Sequence, residues 1–150
     1  MAPAQTLIDA IDRIVEYFNA RRLDLPDGFF DRRTQFVING ASFETLLGRS
    51  PDDPLILMLA RGPAGYRFTI KALQHAMPDV RIARAGVQDA GDSRIDVELR
   101  LSGKLRGSGE AIDVAVPIAL TLATAGQVEI ADATIDGGVL DKIRQARLIA

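Results

Sequence analysis

The chain has 150 residues, 47% of them hydrophobic and 25% charged, with a formal net charge of -2 and no cysteine. This is one domain's worth of an ordinary soluble globule, with no basic excess to neutralise phosphates, so nucleic acid is not expected as a main partner. Disulfides and thiolate metal sites are excluded, and the single histidine, His75, cannot form a multi-histidine zinc site, so no metal or other cofactor is expected.

The opening, MAPAQTLIDAIDR, lacks the basic and apolar regions of a signal peptide. The longest apolar runs, LILMLA and VAVPIAL, are too short to span a bilayer. A cytoplasmic protein without membrane contact is the expectation. Thr6 to Arg22 reads as a helix, because Leu7, Ile11, Ile14 and Phe18 recur on one face and Ile8 and Val15 widen it. Thr6 with Asp9 resembles a capping box. LDLPDG breaks that helix, and FFDRR reads as one further turn.

In QFVINGASFET, alternating segments flank Asn39-Gly40, a hairpin signal, because the tight turn needs positive φ at both central residues. SPDDPLILMLARG then reads as a short buried helix over Leu55 to Ala60, capped by Asp53 and ended by Gly62, with a buried strand as its rival. GYRFTIKALQHAMPD is helical: Tyr66, Ile70, Leu73 and Met77 share the apolar face, while Arg67, Lys71 and Gln74 share the wet one. His75 falls at the polar edge, which makes it a boundary residue and not one aimed from the centre of the buried stripe.

From Asp79 the period changes to two. VRIARAGVQ, SRIDVELRLSG, EAIDVAVPIALTLA and QVEIADATI read as strands with short connectors, so antiparallel neighbours are expected. Along the second of them Ile95, Val97, Leu99 and Leu101 alternate with Arg94, Asp96, Glu98 and Arg100. The third has two largely apolar faces, and Pro117 on it predicts a bulge or bend. Asp136 caps a final helix, VLDKIRQARLIA, whose Lys142, Arg144 and Arg147 suit its C-terminal dipole. GKLRGSGE joins two strands and is no phosphate cradle, and Asp136 would repel an anion at DGGVLDK.

The order of these elements resembles the nuclear-transport-factor-two-like superfamily, also called SnoaL-like or cystatin-like. YFNARRLD at the end of the first helix, ALQHAMPDVRI leading into the sheet, SRIDVELRLSGKLRG, and TAGQVEIADATID are similar to its local strings. The likeness covers nearly the whole chain apart from SPDDPLILMLARGPAG and the last helix. It implies a single α+β domain over residues 1–150: a cystatin-like cone in which an N-terminal helix and a helical pair are wrapped by a curved antiparallel sheet, with an extra C-terminal helix. It also implies a cavity for a small molecule. Because the fold hosts enzymes, binders and subunit glue, the likeness alone does not give the function.

The likeness suggests candidates. Steroid isomerases of the superfamily use a helix-one tyrosine and two acids. Tyr17 stands in that helix, but FVING and VAVPIAL, where the acids would be, have none. The limonene-epoxide-hydrolase-like branch carries Arg-x-Asp and a second Asp; here Arg94, Asp96 and Asp132 are the catalytic candidates under that alternative. Its Tyr-x-Asn is matched only by Val37-Ile38-Asn39, and ungapped alignment puts Ala133, not Asp132, at the second acid. The expected function is instead binding of an apolar small molecule, with Tyr17, Phe18, Asn39, Val116 and Ile118 as ligand-contacting candidates. A non-catalytic interaction module is a further alternative. The apolar set of the second strand is expected inward, because burying Arg94 and Asp96 is costly unless they pair and meet further donors. The small outer face of Ala111, Ala115, Pro117 and Ala119 predicts a homodimer.

Overall fold

A computed structural model describes residues 3–26, 28–42, 61–91, 93–123 and 126–147. The elements in chain order are α1 (Pro3–Asn19), β1 (Phe30–Ile38), β2 (Ala41–Ser42), α2 (Gly62–Ala76), β3 (Arg81–Gly91), β4 (Arg94–Lys104), β5 (Ala111–Leu122), β6 (Val128–Ala133) and α3 (Gly137–Arg147). The strands form one sheet in the order β2-β1-β6-β5-β4-β3. The helix expected over 55–60 lies outside the described residues.

The α+β architecture is the expected one, with one change: the sheet is mixed. β1 runs parallel to β6, with Phe36 beside Ala131 and Ile38 beside Ala133. Short connectors make β3 to β6 antiparallel neighbours, but they say nothing of a strand that returns from far earlier in the chain. FFDRR is not a helical turn: β1 starts at Phe30, and Phe36 and the Thr34 side chain behind it are buried. Thr34 Oγ1 donates to the Val128 carbonyl at 2.6 Å, so its hydroxyl is satisfied inside.

α1 begins three residues earlier than the apolar pattern suggests, so Thr6 lies within it and is not its cap. It also ends earlier, where Arg21 turns left-handed at φ 63. Asn19 then behaves as a one-residue strand. Its amide donates to the Ile82 carbonyl at 2.8 Å and accepts from the Ile82 N–H at 2.9 Å, which covers part of the β3 edge. The Asn39-Gly40 turn has φ 52 and 80, as the hairpin requires.

Gly62, expected to end a helix, opens α2 instead. The far end of α2 is closed by Arg106, whose backbone N–H donates to the Ala76 carbonyl at 2.7 Å and whose Nε donates to the His75 carbonyl at 2.7 Å. His75 is half-buried there. Gln74, expected on the wet face, is half-buried too, with its Nε2 shielded from water. Pro117 causes no bulge: the β4–β5 ladder runs through it without a shift. Its missing N–H points to the end of β6, where Thr134 donates to the Pro117 carbonyl at 2.9 Å and receives no bond back. Asp136 caps α3 as expected, its Oδ2 accepting from Val139 N at 3.1 Å.

Three apolar clusters form the core. One gathers Phe18, Met77, Val80, Leu101 and Ile112, a second Leu7, Ile11, Phe29, Ile95, Val97 and Leu120, and a third Phe36 and Tyr66. Full burial of a side chain such as Phe18 stabilises the fold by about 1.5–3 kcal/mol. The β3–β4 hairpin packs tightly where the chain enters it. A Cβ on Gly103 would meet Val80 Cα at 3.0 Å, so any larger residue would force the Val80 backbone to give way.

Candidate functional site

Strand parity decides what faces inward. On β4, Ile95, Val97 and Leu101 are buried, while Arg94, Glu98 and Arg100 are exposed. Across the ladder Val97 opposes Ile118 and Leu99 opposes Val116; β5 in turn sets Leu120 against Ala131 and Ile118 against Ala133. Residues directly opposite share a face, so one continuous apolar wall runs over three strands.

This wall and the helices border an open-mouthed cavity of about 380 Å³, within the range of small-molecule sites. Val97, Leu99, Leu101, Val116, Ile118 and Leu120 form its floor. α1 supplies Ile11, Ile14 and Phe18, α2 supplies Phe68, Thr69, Ile70 and Leu73, and α3 supplies Leu140, Ile143 and Arg144. All three helices therefore cover the same face of the sheet. At one end the rings of β1 and α2 meet edge to face: Phe30 lies 5.2 Å from Phe36 and 5.7 Å from Tyr66, centroid to centroid. Each such pair adds about 0.5–1.5 kcal/mol beyond its burial.

Polar groups on the lining are few. Tyr66 is 6% exposed, and burial alone pushes its hydroxyl up to about 12. A phenol so placed stays protonated and available as a hydrogen-bond donor. Thr69 Oγ1 is already spent on the Gly65 carbonyl at 2.8 Å. Arg144 is the charged residue on the lining, and no carboxylate lines the cavity among the described residues.

The residues singled out from the sequence divide between the two faces. Phe18, Val116 and Ile118 line the cavity. Tyr17 does not; its ring lies 4.7 Å beneath the Arg22 guanidinium on the shoulder of α1. Asn39 is exposed in the hairpin turn, where its amide donates to the Ile135 carbonyl and accepts from the Ile135 N–H, both at 2.8 Å. That pair of bonds ties the turn to the chain leaving β6, so the side chain is occupied away from the lining. Arg94 and Asp96 pair with each other at 2.9 Å on the outer face, their side chains 55% and 43% exposed. Asp96 opposes Ala119, and Ala119 opposes Asp132, which puts both acids on that outer face, two strand spacings or about 10 Å apart. The three catalytic candidates are thus on the side of the sheet away from the cavity.

Tyr66, Phe30, Phe36 and Arg144 are lining residues that sequence reasoning did not single out. Tyr66 was visible only as one member of a helical stripe, and Arg144 only as a complement to a helix dipole. Among the described residues, no group of His, Asp and Glu side chains could hold a metal ion, and no helix is long and apolar enough to cross a membrane.

No protein-family model matches the sequence, and no curated protein does. Solved structures do match in fold. A candidate SnoaL-like polyketide cyclase from a Jannaschia species has a TM-score of 0.65 at 16% identity, over 100% of this chain and 98% of that one. TerC crystallised with polyporic acid has a TM-score of 0.67 at 13% identity, over 96% and 99%. SalBIII, an epoxide hydrolase/cyclase-like enzyme of pyran ring formation in salinomycin, has a TM-score of 0.61 at 13% identity, over 89% and 93%.

Proposed function

We propose that this chain, which has the fold of the nuclear-transport-factor-two-like, SnoaL-like superfamily, is a small-molecule-binding protein that takes an apolar ligand between its sheet and its helices. The observation that carries the reading is the cavity of about 380 Å³ with its nearly unbroken apolar lining. Release of water from such walls drives binding without chemistry. TerC, of similar fold, was co-crystallised with a small molecule, polyporic acid, which supports a small-molecule ligand here.

The hydrolase alternative gains little support. Acid–base attack on an epoxide needs a carboxylate within hydrogen-bond reach of the reacting atoms. Asp96 and Asp132 stand on the outer face, and Arg94–Asp96 is an exposed pair of the kind worth about 1 kcal/mol or less.

We also propose that the protein pairs as a homodimer through the outer face of the sheet. Ala111, Ala115 and Pro117 are exposed there, and α3 lies on the opposite side, so it does not cover them.

The binding reading is tested with N-phenylnaphthylamine, a neutral apolar fluorophore. Saturable binding by the wild-type protein, lost in Ile118→Trp, whose indole would occupy the floor, is the expected result. No saturable binding, or equal binding in the filled variant at unchanged melting temperature, would refute it.

A further inference from the structure

The cavity stops being apolar at Arg144. α3 lays Leu140 and Ile143 against the lining, and Arg144 lines it too. Leu140 and Arg144 stand four residues apart, hence on one face of the helix. Arg144 is exposed, so this residue belongs to the solvent edge of the lining and not to its interior.

Two of the charges near it are committed elsewhere. Lys142 pairs with Glu110 at 2.6 Å, and Asp136 caps the helix at Val139 N. Asp141, one turn earlier, is exposed, and no ion pair joins it to Arg144 among the described residues. A cation complementing the end of a helix needs no cavity. Here the same helix face carries both the apolar wall and the cation, which is the arrangement that meets an amphipathic molecule end to end. A guanidinium offers two parallel N–H donors to an oxyanion, so it would fix orientation where the apolar walls cannot.

We propose that Arg144 anchors the acidic group of an amphipathic ligand, a carboxylate or similar oxyanion, whose apolar body lies in the cavity. The inference rests on the binding reading above and adds the ligand's class to it. Tyr66, at the aromatic end, would donate to whatever acceptor the buried part carries.

Two probes separate the claims: N-phenylnaphthylamine, which is neutral, and anilinonaphthalene sulfonate, which adds an anion to the same ring system. Arg144→Gln is expected to weaken the sulfonate about tenfold, the loss of one charge-assisted contact, and to leave the neutral probe within about twofold. Arg144→Lys is expected to fall between, and raising the salt is expected to weaken only the sulfonate. Arg94→Gln removes the same charge from the outer face and is expected to change neither probe. Unchanged sulfonate binding in Arg144→Gln, or equal weakening of both probes, overturns the anchor while leaving the cavity reading standing. Failure of both probes on the wild-type protein overturns the cavity reading and the anchor together.

Discussion

Replacing Tyr66 by Phe tests whether the aromatic end of the cavity is as dry as its packing implies. Burial raises the hydroxyl from 10.0 to about 12. At about 1.4 kcal/mol for each tenfold change in proton affinity, that rise corresponds to roughly 3 kcal/mol of linkage. The sign follows from which state ionises first. The raised folded value means that the contribution is fully present below pH 10, where both states hold the proton. It is lost as pH climbs from 10 toward 12, because the unfolded chain releases its proton first. Phe keeps the ring against Phe30 and Phe36 and has nothing to ionise. Urea unfolding of the two proteins across this range is therefore expected to run parallel below pH 10. Above it the wild type is expected to fall away from Tyr66→Phe by up to about 3 kcal/mol. Parallel curves to the alkaline limit, or tyrosinate absorbance that develops in one step at the ordinary value, would refute a buried phenol.

Gly103→Ala is expected to destabilise by about 1–3 kcal/mol in urea, because the new methyl would press on the Val80 backbone. His75→Gln, at a half-buried helix end, is expected to stay within about 0.5 kcal/mol and to leave probe binding intact; lost binding with the fold preserved would give His75 a role at the site. Asp96→Asn is expected to leave N-phenylnaphthylamine binding unchanged and to reveal no epoxide turnover to lose. Light scattering at protein concentrations on the order of tens of micromolar is expected to give a dimer mass, the order suited to a stable interface, and a monomer mass would remove the proposed outer-face pairing.

Local chemistry made much of the fold legible. The alternation in SRIDVELRLSG placed Ile95 and Val97 inside and Arg94 and Arg100 outside, because a strand's period of two leaves only one parity that buries no unpaired charge. Asn39-Gly40 and Asp136 announced their turn and cap through side-chain and φ requirements that act within a few residues. What stayed hidden depends on partners remote in sequence. β1 against β6 joins residues nearly a hundred positions apart, and nothing in FFDRR reveals that pairing, so it read as a turn. Pro117 signalled a bulge only because the end of β6 opposite it could not be foreseen. At the site, Phe18, Val116 and Ile118 were readable from periodicity, but periodicity tells which face is buried, not which buried face is left hollow. Tyr17 lies on the shoulder of α1 and met Arg22 instead of the cavity. Arg144 joins the solvent edge of the lining through the docking of α3, a tertiary event with no signature in VLDKIRQARLIA.

The most direct test of the account is a methyl-resolved NMR titration with N-phenylnaphthylamine. Val97, Leu99, Val116 and Ile118 line the cavity, while Ala115 lies on the other face of the same strands. The account predicts saturating shifts at the first set, including the methyls of Leu140 and Ile143 on α3, with Ala115 and Ala119 unmoved. Shifts confined to Ala115 and Ala119, or none at the inner methyls at saturating probe, would contradict it.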